Sequence, residues 1–139
     1  MAHSTHYTTR ALLEARVPKS LVARACDRDE DGAEDTDGFD NLLEAVETEI
    51  DGLLAPSYTV PFTTAPAAVQ SAALVMLASA CYENVATPEK DNPFAGRAGG
   101  ARDLLTRCGQ GAAMLEAPDY ASIDAPDESD WSMEKLDEL

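Results

Sequence analysis

Positive charge is scarce in this chain. Ten Lys and Arg stand against 26 Asp and Glu, a net charge of −16 over 139 residues. That balance argues against a sequence-independent binder of DNA or RNA, because phosphate binding needs Lys and Arg. It argues equally against docking on anionic membranes. Basic partners, metal ions, or a role in which DNA must not stick remain. Aromatic residues are also few, at 6%, and the apolar residues are largely Ala, Leu and Val. Packed helices suit that composition better than a β-sandwich, which needs more β-branched and aromatic residues. Cysteine is limited to Cys26, Cys81 and Cys108, odd in number, widely spaced and without a CxxC pair. Neither a disulfide framework nor a zinc site fits that spacing. Cys81 and Cys108 sit inside apolar helical patterns, so the expectation is buried, reduced thiols in a cytosolic protein.

No stretch has the length or apolarity of a transmembrane helix. The first six residues lack the basic and apolar regions of a signal peptide. The reading is a soluble protein made in the cytoplasm. Histidine is confined to His3 and His6, read as part of a disordered terminus over residues 1–6, with a metal-chelating pair as the alternative. No GxSxG, phosphate-binding glycine loop or dinucleotide fingerprint is present. The run Gly96-Arg97-Ala98-Gly99-Gly100 lacks both a preceding strand and a Lys-Ser/Thr. The expectation is therefore no catalysis and no catalytic residues.

What the chain does contain is helical periodicity. Three domains of behaviour are expected: residues 1–6, a helical body over 7–115, and an acidic extended arm over 116–139. The fold class is all-α, a small helical bundle of three main helices plus short N-terminal ones. Thr8 or Thr9 caps a first short helix carrying Leu12 and Leu13. Val17-Pro18 breaks it, and Pro18 opens a second with Leu21, Val22 and Ala25 on one side. Phe39, Leu42, Leu43, Val46, Ile50, Leu53 and Leu54 then follow the spacing of one buried stripe, with Asp40, Glu44, Glu47, Glu49 and Asp51 on the remainder. From Ala67 to Val85, behind Pro66, the pattern is apolar nearly all round, through Val69, Met76 and Leu77. That makes it the central helix. Asn92-Pro93 reads as N-cap and N1 of a last helix reaching Leu115. It is rich in glycine, each costing up to ~1 kcal/mol relative to Ala, so packing of Leu104, Leu105, Cys108 and Met114 must hold it.

Two acidic features carry the chemistry. Asp27, Asp29 and Asp31 with Gly32 match the opening of a calcium loop, D-x-D-x-D-G, and Asp35 falls at its ninth position. The twelfth position, normally a bidentate Glu, is Gly38. The loop is either a weak Ca²⁺ or Mg²⁺ site or an acidic turn whose aspartates favour the N-terminus of the following helix. The second feature is the tail, with nine acids against Lys135 alone, a net of −8 and half the charge of the chain. It also carries Tyr120, Ile123, Trp131, Met133, Leu136 and Leu139. A purely solvating tail has no need of the only Trp, and Trp and Tyr dominate many interfaces. The reading is an arm that docks on a partner; the alternative is a tail disordered or folded back on its own body.

The order of these features resembles the head–tail connector (adaptor) proteins of Mu-like phages and prophages. The residues that carry the likeness are Tyr7-Thr8-Thr9, the run from Leu21 through the Asp27–Asp35 loop, the helix over Phe39–Leu54, Tyr58-Thr59-Val60-Pro61-Phe62, and the Pro66-led apolar helix ending near Tyr82. The likeness spans about residues 7–115. The stretch Glu34–Gly38 is longer and more acidic than the family pattern, and the glycines of 96–111 depart from it. The resemblance implies a structural virion protein that forms a ring, commonly of twelve copies, beneath the portal protein. Such a ring links the portal to a stopper or tail-completion protein at the neck, after assembly in the host cytoplasm. The genome passes through it without specific binding, because carboxylates repel phosphates, and the arm engages the portal.

Overall fold

The computed structural model describes residues 6–115. They form an all-α body, and no strand occurs among the described residues. Five α-helices follow in order: α1 (Arg10–Glu14), α2 (Lys19–Ala25), α3 (Gly38–Leu54), α4 (Ala67–Asn84) and α5 (Ala95–Gly109), with a single 3₁₀ turn, Glu89–Asp91, before α5. None of them is long and apolar enough to cross a membrane. The expected arm over 116–139 lies outside the described residues.

α1 begins where the sequence places its cap. The Thr9 hydroxyl accepts from the Leu12 amide at 3.3 Å. Leu13 is fully buried, whereas Leu12 points outward at 53% exposure. Pro18 sits one residue before α2, which buries Val22 and Ala25. In α3 the expected stripe faces inward: Leu42, Leu43, Val46, Ile50 and Leu54 are buried, and Leu53 packs partly against them. Full burial of a side chain such as Ile50 contributes ~1.5–3 kcal/mol relative to exposure.

α4 touches every other α-helix, which makes it the central element, as its all-round apolar pattern predicts. Val69, Met76 and Leu77 are fully buried on it. α3 and α5 pack against α4 and against each other, while α1 and α2 lie on α4. The core is therefore a three-helix bundle with a short helical pair on one flank. Cys26, Cys81 and Cys108 are free and buried. Burial raises the Cys26 thiol and pushes that of Cys81 up to about 12.

α5 differs from expectation at both ends. It starts at Ala95 rather than Pro93, and the Asn92 carboxamide oxygen accepts from the Phe94 amide at 3.0 Å. The Asn92 amide group donates inward to Ser79 on α4. Asn92 thus joins the turn to α4 instead of capping α5 directly. The helix ends at Gly109, so Met114 lies beyond it and is 65% exposed. Leu105 and Cys108 supply the buried packing, and Leu104 is partly buried. The end point is set by Gly111, whose φ of +82° turns the chain out of the helix while the Ala112 amide donates back to the Arg107 carbonyl at 2.8 Å. A Cβ on Gly109 would lie 1.9 Å from the Leu53 carbonyl oxygen, so only glycine permits this approach of α5 to the end of α3. The Ser57 hydroxyl closes the same corner by donating to the Gly109 carbonyl at 2.7 Å.

Candidate functional site

The acidic loop hangs between α2 and α3 and is folded by its own carboxylates. Asp27 accepts from the amides of Asp31 (3.3 Å) and Gly32 (3.0 Å). Asp31 accepts from the Ala33 amide at 2.8 Å, and Asp35 from the Arg28 amide at 2.9 Å. Gly32 takes φ +89°, the left-handed conformation that a sharp loop turn requires of glycine. The result gathers Asp27, Asp29, Asp31 and Asp35 so that one carboxylate oxygen from each lies within 4.8 Å of the others. The sequence motif therefore brings together all four residues it singles out.

The electrostatics record that crowding. Desolvation works against ionisation of Asp27, but its contacts with Asp29 and with the Gly32 and Asp31 amides outweigh it, and its carboxyl is held below the usual range. Asp29 moves the other way, raised first by the contact with Asp27 and then by desolvation. A hard divalent cation among these oxygens would neutralise the mutual repulsion, and its preferred donors are oxygens of this kind.

The twelfth position shows why the loop is not a complete calcium site. A Cβ on Gly38 would lie 2.2 Å from the Cys26 carbonyl oxygen. The Asp35 amide donates to that same carbonyl at 3.1 Å. The start of α3 is thus pressed against the end of α2, and no side chain fits where a bidentate Glu would stand. Glu34 is committed elsewhere, since its carboxylate takes both terminal nitrogens of Arg10. That pairing holds Glu34 below the usual carboxylate range. Arg10 also lies over the Phe39 ring, 5.3 Å from its centroid, and so fastens the loop to α1 and α3. Asp37 stands at the N-cap position of α3 but makes no side-chain capping bond, so the aspartates act on the helix end only through their charge.

A second cluster was invisible in the sequence pattern. Glu47 belongs to the polar side of α3 by periodicity, yet it is fully buried. One of its oxygens accepts from the Tyr7 amide at 2.6 Å and the other meets His6 Nδ1 at 2.9 Å. One turn on, Asp51 accepts from the Tyr7 hydroxyl at 2.7 Å, and that hydroxyl accepts from the Phe62 amide at 3.0 Å. Burial, then the bond to Asp51, drives the Tyr7 phenol far above its usual range. The His6 ring is seated on Glu47, with Glu44 close enough that one donor atom from each of the three lies within 4.8 Å of the others. The cluster latches the start of the chain across α3. Its only sequence signal is a Glu and an Asp one turn apart on α3, which helical wheels assign to solvent.

The arm residues Tyr120, Ile123, Trp131, Met133 and Leu136 lie outside the described residues. The fold and these sites define a small, acidic, all-α protein, His6 and Tyr7 latched onto α3 and its acidic loop folded by its own carboxylates. A family model described as Bacteriophage Mu, Gp36 matches residues 7–133, nearly the whole chain. The chain belongs to that family, and so is a protein of Mu-like bacteriophages; membership points to a structural or morphogenesis role. No curated protein and no solved structure matches it.

Proposed function

We propose that this protein is an adaptor of the phage neck, without catalytic activity. It assembles as a ring, in the expected case of twelve copies, below the portal protein and links it to the stopper or tail-completion protein. The genome passes through the ring. The observation that carries this reading is the family match, which covers the helical body and continues through the acidic tail to Met133. The charge supports it: a ring lined by a chain of net −16 repels the phosphates of a moving duplex. A helical bundle with an appended acidic segment also fits a subunit that binds two neighbours at once.

Light scattering of the protein alone and mixed with its portal tests the proposal. The expected result is a small species alone and a ring-sized complex with the portal. Deleting residues 118–139 is expected to leave the helical circular-dichroism signal of the body and its cooperative melt intact while abolishing the complex. A truncated protein that still bound the portal would remove the arm from the mechanism; full-length protein that never joined the portal would remove the adaptor reading itself.

A second reading, a calcium-binding interaction module, is favoured by the convergence of the four loop carboxylates. The blocked twelfth position weighs against it. Calorimetry is expected to find Ca²⁺ binding no tighter than about 10⁻⁴ M, the weak end of such loops, with no change in helical content. Micromolar affinity with a structural change would favour the second reading.

A further inference from the structure

The few cations of this chain are not evenly spread. The described body holds nine Lys and Arg against seventeen acids. Five of the nine fall between Arg10 and Arg28, where only Glu14 and Asp27 oppose them. Arg10 is taken by Glu34 and Glu14. Arg16, Lys19, Arg24 and Arg28 are exposed and form no ion pair among the described residues, although acids outnumber bases almost two to one. From Ala15 to Cys26 there are three cations and no acid. α1 and α2 pack inward on α4, and the outward side of α1 also presents Leu12 at 53% exposure. Beyond α2 the surface opens into a cleft of about 570 Å³. Its walls include Arg24 and Arg28 beside Ala25, Val85 and Ala86, with Asp27 and Glu30 on the loop side.

We infer that this basic, partly apolar face is the docking surface for the chain's own acidic segment, residues 116–139. Three observations point to that occupant. The first is charge: a segment of net −8 meets four of the six cations that form no ion pair among the described residues, the other two being Lys90 and Arg97. The second is apolar content, since Trp131, Met133 and Tyr120 match the exposed Leu12 and the cleft walls. The third is where the described chain ends. The Leu115 amide donates to the Tyr58 hydroxyl at 3.3 Å, the Tyr58 ring packs on Phe62, and Phe62 packs edge-on against Tyr7, two residues before the cap of α1. The segment therefore leaves the body from the corner built by these rings, which link it to Tyr7 just before α1. Fifteen residues lie between Leu115 and Trp131; that stretch reaches up to about 50 Å when extended, against a radius of gyration of about 13 Å for a body of this size. Every part of the face is within reach. The inference is independent of the adaptor reading, because it concerns the free subunit. In that reading the same face would hold the arm until a partner takes it.

The chain carries its own probe. Trp131 is the only Trp, so indole fluorescence of the full-length protein reports this segment alone. At about 0.1 M salt we expect blue-shifted emission and raised anisotropy, independent of protein concentration. Raising salt to about 1 M, which shortens the Debye length from about 10 Å to about 3 Å, should move both towards the values of the unfolded chain. The triple variant Arg16→Glu, Lys19→Glu, Arg24→Glu should do the same at low salt with the helical signal unchanged. Neutralising the segment instead, with Asp127→Asn, Glu128→Gln and Asp130→Asn, should reproduce the effect without touching the body. Emission that ignores both salt and the two variants overturns the inference. A blue shift that is lost on dilution together with a fall in mass also overturns it, in favour of a second copy as the occupant.

Discussion

Gly109→Ala is expected to lower the melting temperature of the body by roughly 10–20 °C, corresponding to a loss of about 3 kcal/mol. The added methyl would lie 1.9 Å from the Leu53 carbonyl oxygen, and backbone cannot swing aside as a side-chain tip can. Relief requires α5 to move away from the end of α3, which strips packing from Leu105 and Cys108, both buried on that last stretch of α5. The Ser57 hydrogen bond to the Gly109 carbonyl is strained by the same movement. Gly99→Ala is the matched control. It lies in the same helix with nothing within 4 Å of its added carbon, so it should stabilise by up to ~1 kcal/mol through helix propensity alone. Thermal melts of the two variants side by side separate steric contact from propensity. Equal effects would show that α5 does not lie against α3 as described.

Glu47→Ala should have a comparable effect, roughly 3 kcal/mol, for a different reason. It removes the acceptor of the buried Tyr7 amide and leaves a hole under the first residues of the chain. A buried donor without a partner costs more than an average hydrogen bond contributes, because its lost hydration is not replaced. Glu47→Gln keeps the shape and one acceptor oxygen, so it should cost about 1 kcal/mol. Hydrogen exchange gives the local readout: protection of the Tyr7 and Phe62 amides should fall in Glu47→Ala well before the amides of α4. If Glu47→Ala melted like the parent, the latch would contribute nothing to the fold.

These two positions mark the boundary of what could be read from the residues. The inward stripe of α3 from Leu42 to Leu54, the central place of α4 and a threonine cap at Thr8 or Thr9 all follow from local rules, apolar period and side-chain capping; the structure uses Thr9. So does the gathering of Asp27, Asp29, Asp31 and Asp35, since a loop with carboxylates at alternate positions and Gly32 at its turn folds on its own amides. The same rules misassign Glu47, because periodicity knows one helix at a time. His6 and Tyr7 lie about forty residues away in sequence, and only their return across α3 removes Glu47 from water. The extension of α5 to Leu115 passes over a local signal, Gly111, whose φ of +82° ends the helix; the close approach of Gly109 to Leu53, by contrast, belongs to neither helix alone.

By itself the sequence determined the class of fold, the burial of its three thiols, the acidity that repels phosphate and the carboxylate cluster of the loop. Each rests on composition or on contacts within a few residues. The tertiary structure decided why the twelfth position of that loop admits only glycine and where the cations are left over among the described residues. α3 presses against the Cys26 carbonyl and leaves no room for a twelfth ligand. Among the described residues Arg10 alone of the five clustered cations finds carboxylates, because only its position brings Glu34 within reach. Those outcomes depend on distances between segments far apart in the chain, and no local pattern encodes a distance of that kind.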